Sequence, residues 1–301
     1  MGRKNLKEKI SHGLLLLDGG MGTQLFSRGI ETGTCNDYLN IESPDTILDI
    51  HRAYIGAGSD AILTNTFGAN RYALDRHGLA GEVARINTAA AEIARQAAGE
   101  DKYVLGDIGP SGEFLEPLGN LNPEELTDAV CEQAKALLAG GVDGFIIETM
   151  TALDEIEIAI EAVKSVCGDL PVFASMAFDR AGGDFRTMMG VDIESAVSRA
   201  ITLGVDAIGF NCGTATLDEY VKLAGKYVSA VRALSQDALV LAEPNAGKPE
   251  LVDGKAVYKV SPEDFAEAAK KIQLAGVSII GGCCGTGPEH IEAVVKELKK
   301  H

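Results

Sequence analysis

Eight short apolar runs recur along the chain, each followed by a stretch whose apolar residues return every three to four positions. The runs are Leu14–Asp18, Ala61–Thr66, Tyr103–Asp107, Gly144–Glu148, Val172–Met176, Ala207–Asn211, Leu239–Glu243 and Ser278–Gly282. They are nearly continuous rather than alternating, the pattern of parallel strands covered on both faces. The stretches between them carry helix signals. Pro44-Asp45 opens one that Gly56 or Gly58 closes, and Asn122 caps another with Pro123 at its first helical position. Ser261-Pro262-Glu263-Asp264 repeats that device. Gly287-Pro288-Glu289 starts the last helix, which ends in Lys296, Lys299 and Lys300, charges suited to a helix C-terminus.

A weak internal repeat marks four of the strand entries. It reads Ala57-Gly58-Ser59-Asp60, Gly140-Gly141-Val142-Asp143, Leu203-Gly204-Val205-Asp206 and Ala275-Gly276-Val277-Ser278. Each is a glycine helix stop, a tight turn and a new strand. Strand starts lie roughly 28–47 residues apart, the length of a βα unit. Eight such units without a linker or low-complexity break predict one domain over residues 1–301, a (β/α)8 TIM barrel, rather than an open sheet.

Composition narrows the function. The 301 residues carry a formal net charge of −17, which disfavours nucleic acid and anionic membrane surfaces as partners. No apolar run approaches the length of a membrane span, and Leu14-Leu15-Leu16-Leu17, which looks like a signal core, is too short for one. It is flanked by glycines and Asp18 and reads as a buried strand, so a cytoplasmic location is expected. Six cysteines are too sparse for a secreted disulfide framework and point instead to metal or catalysis.

In this barrel class the active site lies at the C-terminal ends of the strands. Cys212 follows strand six and Cys283-Cys284 follow strand eight, so three thiols share one rim. Three thiolates suit a catalytic zinc with one exchangeable position. Adjacent cysteines reach one ion only if the backbone bends, which Gly281, Gly282 and Gly285 permit. The spacing alone also admits a buried Cys212 beside a vicinal redox pair, since no CxxC knuckle is present. Cys131 and Cys167 lie on helical patterns and read as packing thiols. Gly19-Gly20-Met21-Gly22 lacks both phosphate-loop signatures. Its N–H groups could hold a carboxylate, or the glycines simply make a turn. Asp18 and Glu148 could hold an amino group, or cap a helix or pair with a rim arginine. His12, His51, His77 and His290 show no triad or HExxH pattern and read as structural.

Asp-Gly-Gly-Met-Gly-Thr at 18–23, Thr-Asn-Thr-Phe-Gly-Ala at 64–69, Asn-Cys at 211–212 and Gly-Gly-Cys-Cys-Gly-Thr at 281–286 together resemble the homocysteine S-methyltransferase family over essentially the whole chain. The resemblance implies Zn²⁺ on Cys212, Cys283 and Cys284. It also implies homocysteine activated as a zinc-bound thiolate and methylated to methionine. Asp18 and Glu148 would take the substrate amino group and the Gly19 and Gly20 N–H groups its carboxylate. Asn65, Asp107, Asn211 and Asn245, at other strand ends, complete the candidate substrate-binding set. A free thiol titrates near 8.5, so metal binding is what makes it a nucleophile at neutral pH.

Asn65-Thr66-Phe67 looks like the homocysteine module of cobalamin-dependent methionine synthase, which implies methylcobalamin as donor on a separate corrinoid protein or cobalamin-binding module. The full synthase carries folate, cobalamin and activation modules that this sequence lacks. It therefore reads as a stand-alone enzyme served by a corrinoid protein, or as an excised domain. A quaternary ammonium donor is best held by an aromatic cage, and the chain has no Trp and 5% aromatics. Betaine or S-methylmethionine as donor, or another thiol as acceptor, are the alternative readings; Gly213-Thr214-Ala215-Thr216 after Cys212 departs from the pattern of the best-known synthases. An oxygen is expected at the fourth zinc position before substrate binds: Asn245 first, then Asn211, then water. Outside methyl transfer, a Schiff-base aldolase is disfavoured because no lysine ends a strand. A non-catalytic corrinoid- or thiol-binding subunit is the remaining class.

Overall fold

The computed structural model describes residues 5–252 and 255–299; Lys300 lies outside them. Eight parallel strands form one sheet: β1 (Leu15–Leu16), β2 (Ala61–Leu63), β3 (Tyr103–Ile108), β4 (Gly144–Met150), β5 (Val172–Met176), β6 (Ala207–Asn211), β7 (Leu239–Glu243) and β8 (Ile279–Ile280). Their order is β1-β8-β7-β6-β5-β4-β3-β2, so each strand from β2 to β8 pairs with the next in sequence and β8 returns to β1. Helices follow the strands, as in a (β/α)8 TIM barrel.

β1, β2 and β8 are shorter than their apolar runs. The sheet's two ends, β1 and β2, are fastened by scattered groups instead of a ladder. Asp60 N–H donates to Leu16 O at 2.7 Å, Ser59 Oγ donates to Leu17 O at 3.2 Å, and Leu63 N–H donates to Asp18 Oδ2 at 3.1 Å. On the other side of β1, Gly282 N–H still reaches Asp18 O at 2.9 Å, but the glycines turn the chain out of strand geometry.

The apolar interior is set by the two-residue strand period. Leu15, Leu17, Ala61, Tyr103, Leu105, Ile146, Phe173, Ala207, Leu241 and Ile279 pack together inside the barrel. Leu6 and Ile10, on the short helix Leu6–Ile10, join this cluster and cover its N-terminal end. The opposite faces of the strands meet the helices in the larger core. The expected caps form: Asn122 and Glu125 make a capping box, Ser261 accepts from Asp264 N–H, and Gly58 closes the helix Pro44–Ala57 in the left-handed region.

The sequence repeat has a purpose beyond stopping helices. Asp60 Oδ2 accepts from Leu16 N–H at 3.1 Å, Asp143 Oδ2 from Val104 N–H at 2.8 Å, and Asp206 Oδ2 from Val172 N–H at 2.9 Å. At the entry of each even strand β2, β4 and β6, a carboxylate therefore satisfies a backbone donor of the odd strand beside it. Ser278 holds the fourth place and has no carboxylate to offer. These clamps lie at the N-terminal end of the barrel, far from the strand ends where chemistry sits.

Replacing Asp143 or Asp206 with alanine is expected to lower unfolding free energy by about 1–3 kcal/mol, because a charged hydrogen bond is lost and a buried donor is stranded. Urea denaturation reads that loss, and metal content should be unaltered; the reverse pattern would contradict the assignment.

Candidate functional site

Counting along the strands by twos carries the interior upward into a polar layer. Asp107, Glu148, Ser175, Asn211 and Glu243 succeed the apolar interior residues of β3 to β7 at their C-terminal ends. Asp107 and Glu243 are buried, and Asp107 Oδ1 and Glu243 Oε2 have no hydrogen-bond partner. The charges acting on Asp107 are all acidic: Glu148, Glu243, Asp37 and Asp18. Burial first, and then these neighbours, push Asp107 well above the usual carboxylate range. Glu243 is raised by burial and by Glu148 and Asp18, and Asp18 chiefly by burial. Glu148 is pushed up to about 8 by burial and by Cys212.

The three expected thiols converge beside this acidic floor. The Sγ atoms of Cys212, Cys283 and Cys284 all lie within 4.8 Å of one another. Each is brought in by unusual backbone. Cys212 itself is left-handed, with φ 54°, and Gly213 follows at φ 80°. Tyr220 supports that turn by donating its hydroxyl hydrogen to Cys212 O at 2.7 Å. After β8, Gly285 is left-handed at φ 82°, and its missing side chain leaves room for the Tyr258 ring.

The thiols share protons among themselves. Cys284 is pulled down to about 3 by hydrogen bonds from Cys212 and Cys283, with a further one from Tyr258. Cys283 is pushed up by its hydrogen bonds to the other two and by burial. The shifts of the three thiols are thus mutual, and a cation between the sulfurs would favour ionisation of all three. Thiolates 2.3 Å from one ion at tetrahedral angles would lie about 3.8 Å apart. The sulfurs here need to close by no more than about 1 Å, so the residues fit a zinc ion.

The other expected residues are placed less uniformly. Asn211 is fully buried and holds its neighbours: Nδ2 donates to Glu148 Oε2 at 2.8 Å, and Oδ1 accepts from Thr149 N–H and Ser175 Oγ. Asn245 is turned differently from the fourth-ligand expectation. Its Oδ1 accepts from Cys284 N–H at 3.0 Å, and its Nδ2 donates to Gly213 O at 2.6 Å. The side chain thereby ties the two cysteine loops together. Gly19 and Gly20 pass close under the β8 loop: a Cβ on Gly20 would meet Cys283 O at 2.7 Å. Gly20 N–H donates to Thr286 Oγ1 at 3.1 Å. Asn65 directs its Nδ2 to Asn36 O and Asn40 Oδ1, away from the thiols and into the loop after β1.

Several residues of the site had no sequence signal. Glu243 ends its strand as Glu148 does, and the rim position alone could have singled it out. Tyr220, Tyr258 and Thr286 act through contacts made only in the folded chain. Two hairpins lie in the loops after β5 and β7, Asp179–Ala181 with Asp184–Arg186 and Glu250–Val252 with Lys255–Val257. Gly182-Gly183, both at positive φ, is a recognisable signal for the first. Among the described residues, no helix is long and apolar enough to cross a membrane.

Comparison with known proteins bears on the family and the fold. Methionine synthases of Mycobacterium leprae and Mycobacterium tuberculosis are 34% and 36% identical over 98% and 96% of the chain. The chain spans only 25% of the length of either relative. The metallated form of the homocysteine methyltransferase MmuM from Escherichia coli shares the fold, with a TM-score of 0.78 at 22% identity, covering 98% of this chain and 99% of that one. A methyltransferase from Methanosarcina mazei superposes more loosely, at 0.59 and 11% identity over 96% of this chain and 94% of its own. Residues 15–298 match the family model described as homocysteine S-methyltransferase, and the chain belongs to that family.

Proposed function

We propose that the described barrel is a zinc-dependent homocysteine S-methyltransferase unit acting in the cytoplasm, with residues 1–301 forming one domain. The observation that carries this reading is the convergence of three thiols beside buried, unneutralised carboxyls in a chain of this family. Cys212, Cys283 and Cys284 would hold the ion. Bound zinc would supply the positive charge that lets a substrate thiol ionise at neutral pH.

The chain's own residues do the rest. Glu148, held by Asn211 and close enough to Cys212 to feel its charge, and Asp18, which feels the charge of Glu148, are the carboxyls proposed for the ammonium group. Asp107 Oδ1 and Glu243 Oε2, buried without partners, add acceptors for the same charge. A cation arriving there lets these carboxyls ionise, because it relieves the mutual repulsion and desolvation that keep them protonated. The N–H of Gly19 is the donor proposed for the substrate carboxylate, since Gly20 N–H is already engaged by Thr286. Asn65 and Asn245 would act on substrate indirectly, by holding the loops after β1 and β6. The methyl donor is proposed to be methylcobalamin, presented by a corrinoid protein or module. The Asn65-Thr66-Phe67 segment and the absence of Trp support it, as does the much greater length of the methionine synthases the chain matches.

Three outcomes test this reading. Cys212→Ala, Cys283→Ala and Cys284→Ala should each remove most zinc affinity and abolish turnover; stoichiometric zinc in the Cys283→Ala/Cys284→Ala double variant would contradict the metal site. Glu148→Gln should raise KM for homocysteine at least about tenfold, the scale of one lost charged contact, with zinc content intact. An unchanged KM in both Glu148→Gln and Asp18→Asn would remove the ammonium assignment. In a side-by-side donor assay, methylcobalamin should support methionine formation; turnover with betaine or S-methylmethionine and none with methylcobalamin would overturn the donor.

A further inference from the structure

Tyr54 lies on the helix Pro44–Ala57, remote in sequence from every cysteine of the site, and is completely buried. Its hydroxyl sits 3.1 Å from Gly20 O and 3.2 Å from Thr286 O. It therefore bridges the loop after β1 and the loop after β8. The two loops are laced further around it. Thr286 Oγ1 donates to Cys283 O at 2.6 Å and accepts from Gly20 N–H at 3.1 Å. Gly285 N–H donates to Thr23 Oγ1 at 2.9 Å. Gly19 makes the approach possible, because a Cβ there would stand 2.7 Å from Thr286 Oγ1 and 3.1 Å from the Tyr54 hydroxyl. A buried tyrosine hydroxyl needs one acceptor; this one has a carbonyl from each loop within reach of its single hydrogen, so their separation is tied to it.

The geometry points to Tyr54 as a positioning residue that fixes the Gly19-Gly20 turn relative to the Cys283-Cys284 pair, so that metal retention and homocysteine binding depend on the same hydroxyl. This rests on the proposed function, in which the turn takes the substrate carboxylate and the cysteines hold zinc. Removing the hydroxyl loosens the seam between the two loops, which then rests on the Gly20–Thr286 and Gly285–Thr23 bonds. The metal loses the rigid backing of two of its three ligands, and the substrate loses the fixed distance between its carboxylate donor and the metal. Outer partners of metal ligands commonly change affinity about 10–100-fold when removed.

The test uses the zinc-loaded full chain and needs no methyl donor. Zinc transfer to a chromophoric chelator gives metal retention, and calorimetric titration gives the Kd for homocysteine. Tyr54→Phe is expected to speed zinc release about tenfold and weaken homocysteine about tenfold together. Thr286→Val should reproduce both effects, and Thr286→Ser, which keeps the hydroxyl, should restore most of each. A Tyr54→Phe protein with a lower Tm but unchanged zinc release and homocysteine Kd would overturn the inference, leaving a tyrosine that only packs. If Tyr54→Phe does not fold, Tyr54→Met, which also lacks the donor, is titrated in its place, and unchanged zinc release and homocysteine Kd in that variant overturn the inference. The unsubstituted chain, titrated alongside, tests zinc and homocysteine binding separately, so failure of the proposed function is distinguishable from failure of this inference.

Discussion

Three sulfur atoms within 4.8 Å of one another, beside carboxyls whose leading charged neighbours are themselves acidic, are held against their own electrostatics. Their mutual hydrogen bonds and burial push Cys283 and Cys212 above the ordinary thiol range, and the same hydrogen bonds pull Cys284 below it. The backbone that enforces this is costly: a left-handed cysteine at position 212 has no side-chain reason to adopt that conformation. Asn245, Tyr220 and the glycines after β8 over-determine it from several directions. A dication between the sulfurs would relieve the electrostatic part of this, which supports the proposed metal centre over a redox pair with a bystander cysteine.

The barrel supports this by keeping its two ends chemically distinct. At the N-terminal end, carboxylates of Asp60, Asp143 and Asp206 each satisfy a neighbouring strand's N–H, and the helix Leu6–Ile10 covers an apolar interior. At the C-terminal end, one carboxyl oxygen each of Asp107 and Glu243 is buried without a partner among the described residues. Buried acids that no partner satisfies diminish stability, so their place is explained by a ligand rather than by the fold. Stability and function are therefore assigned to opposite rims, and a substitution at one rim should leave the other largely undisturbed.

Much of this was legible from local pattern. β5, β6 and β7 have the bounds their apolar runs indicate, and the three thiols were placed on one rim by counting strand ends. The short strands β1, β2 and β8 were overestimated, because β1 and β2 are joined by side-chain and scattered backbone bonds rather than a ladder, and β8 runs into glycine-rich turns. The aspartate clamps were visible only as a repeat; their partners sit in neighbouring strands, 34–44 positions away. Asn245 was read as a metal ligand from its loop, but the direction of its amide depends on the Cys284 backbone, 39 residues distant. The Gly20–Thr286 contact spans 266 residues. Strand pattern reports what each segment buries; which groups meet across the barrel mouth is decided by closure of the whole ring.

The account rests on one dication held by the three thiols with a replaceable fourth partner. X-ray absorption at the zinc K-edge reads that coordination directly. The account expects three sulfur neighbours at about 2.3 Å with one oxygen or nitrogen in the substrate-free protein, becoming four sulfurs when homocysteine is added. Zinc with fewer than three sulfur neighbours, or a sulfur count that homocysteine leaves unchanged, would contradict it.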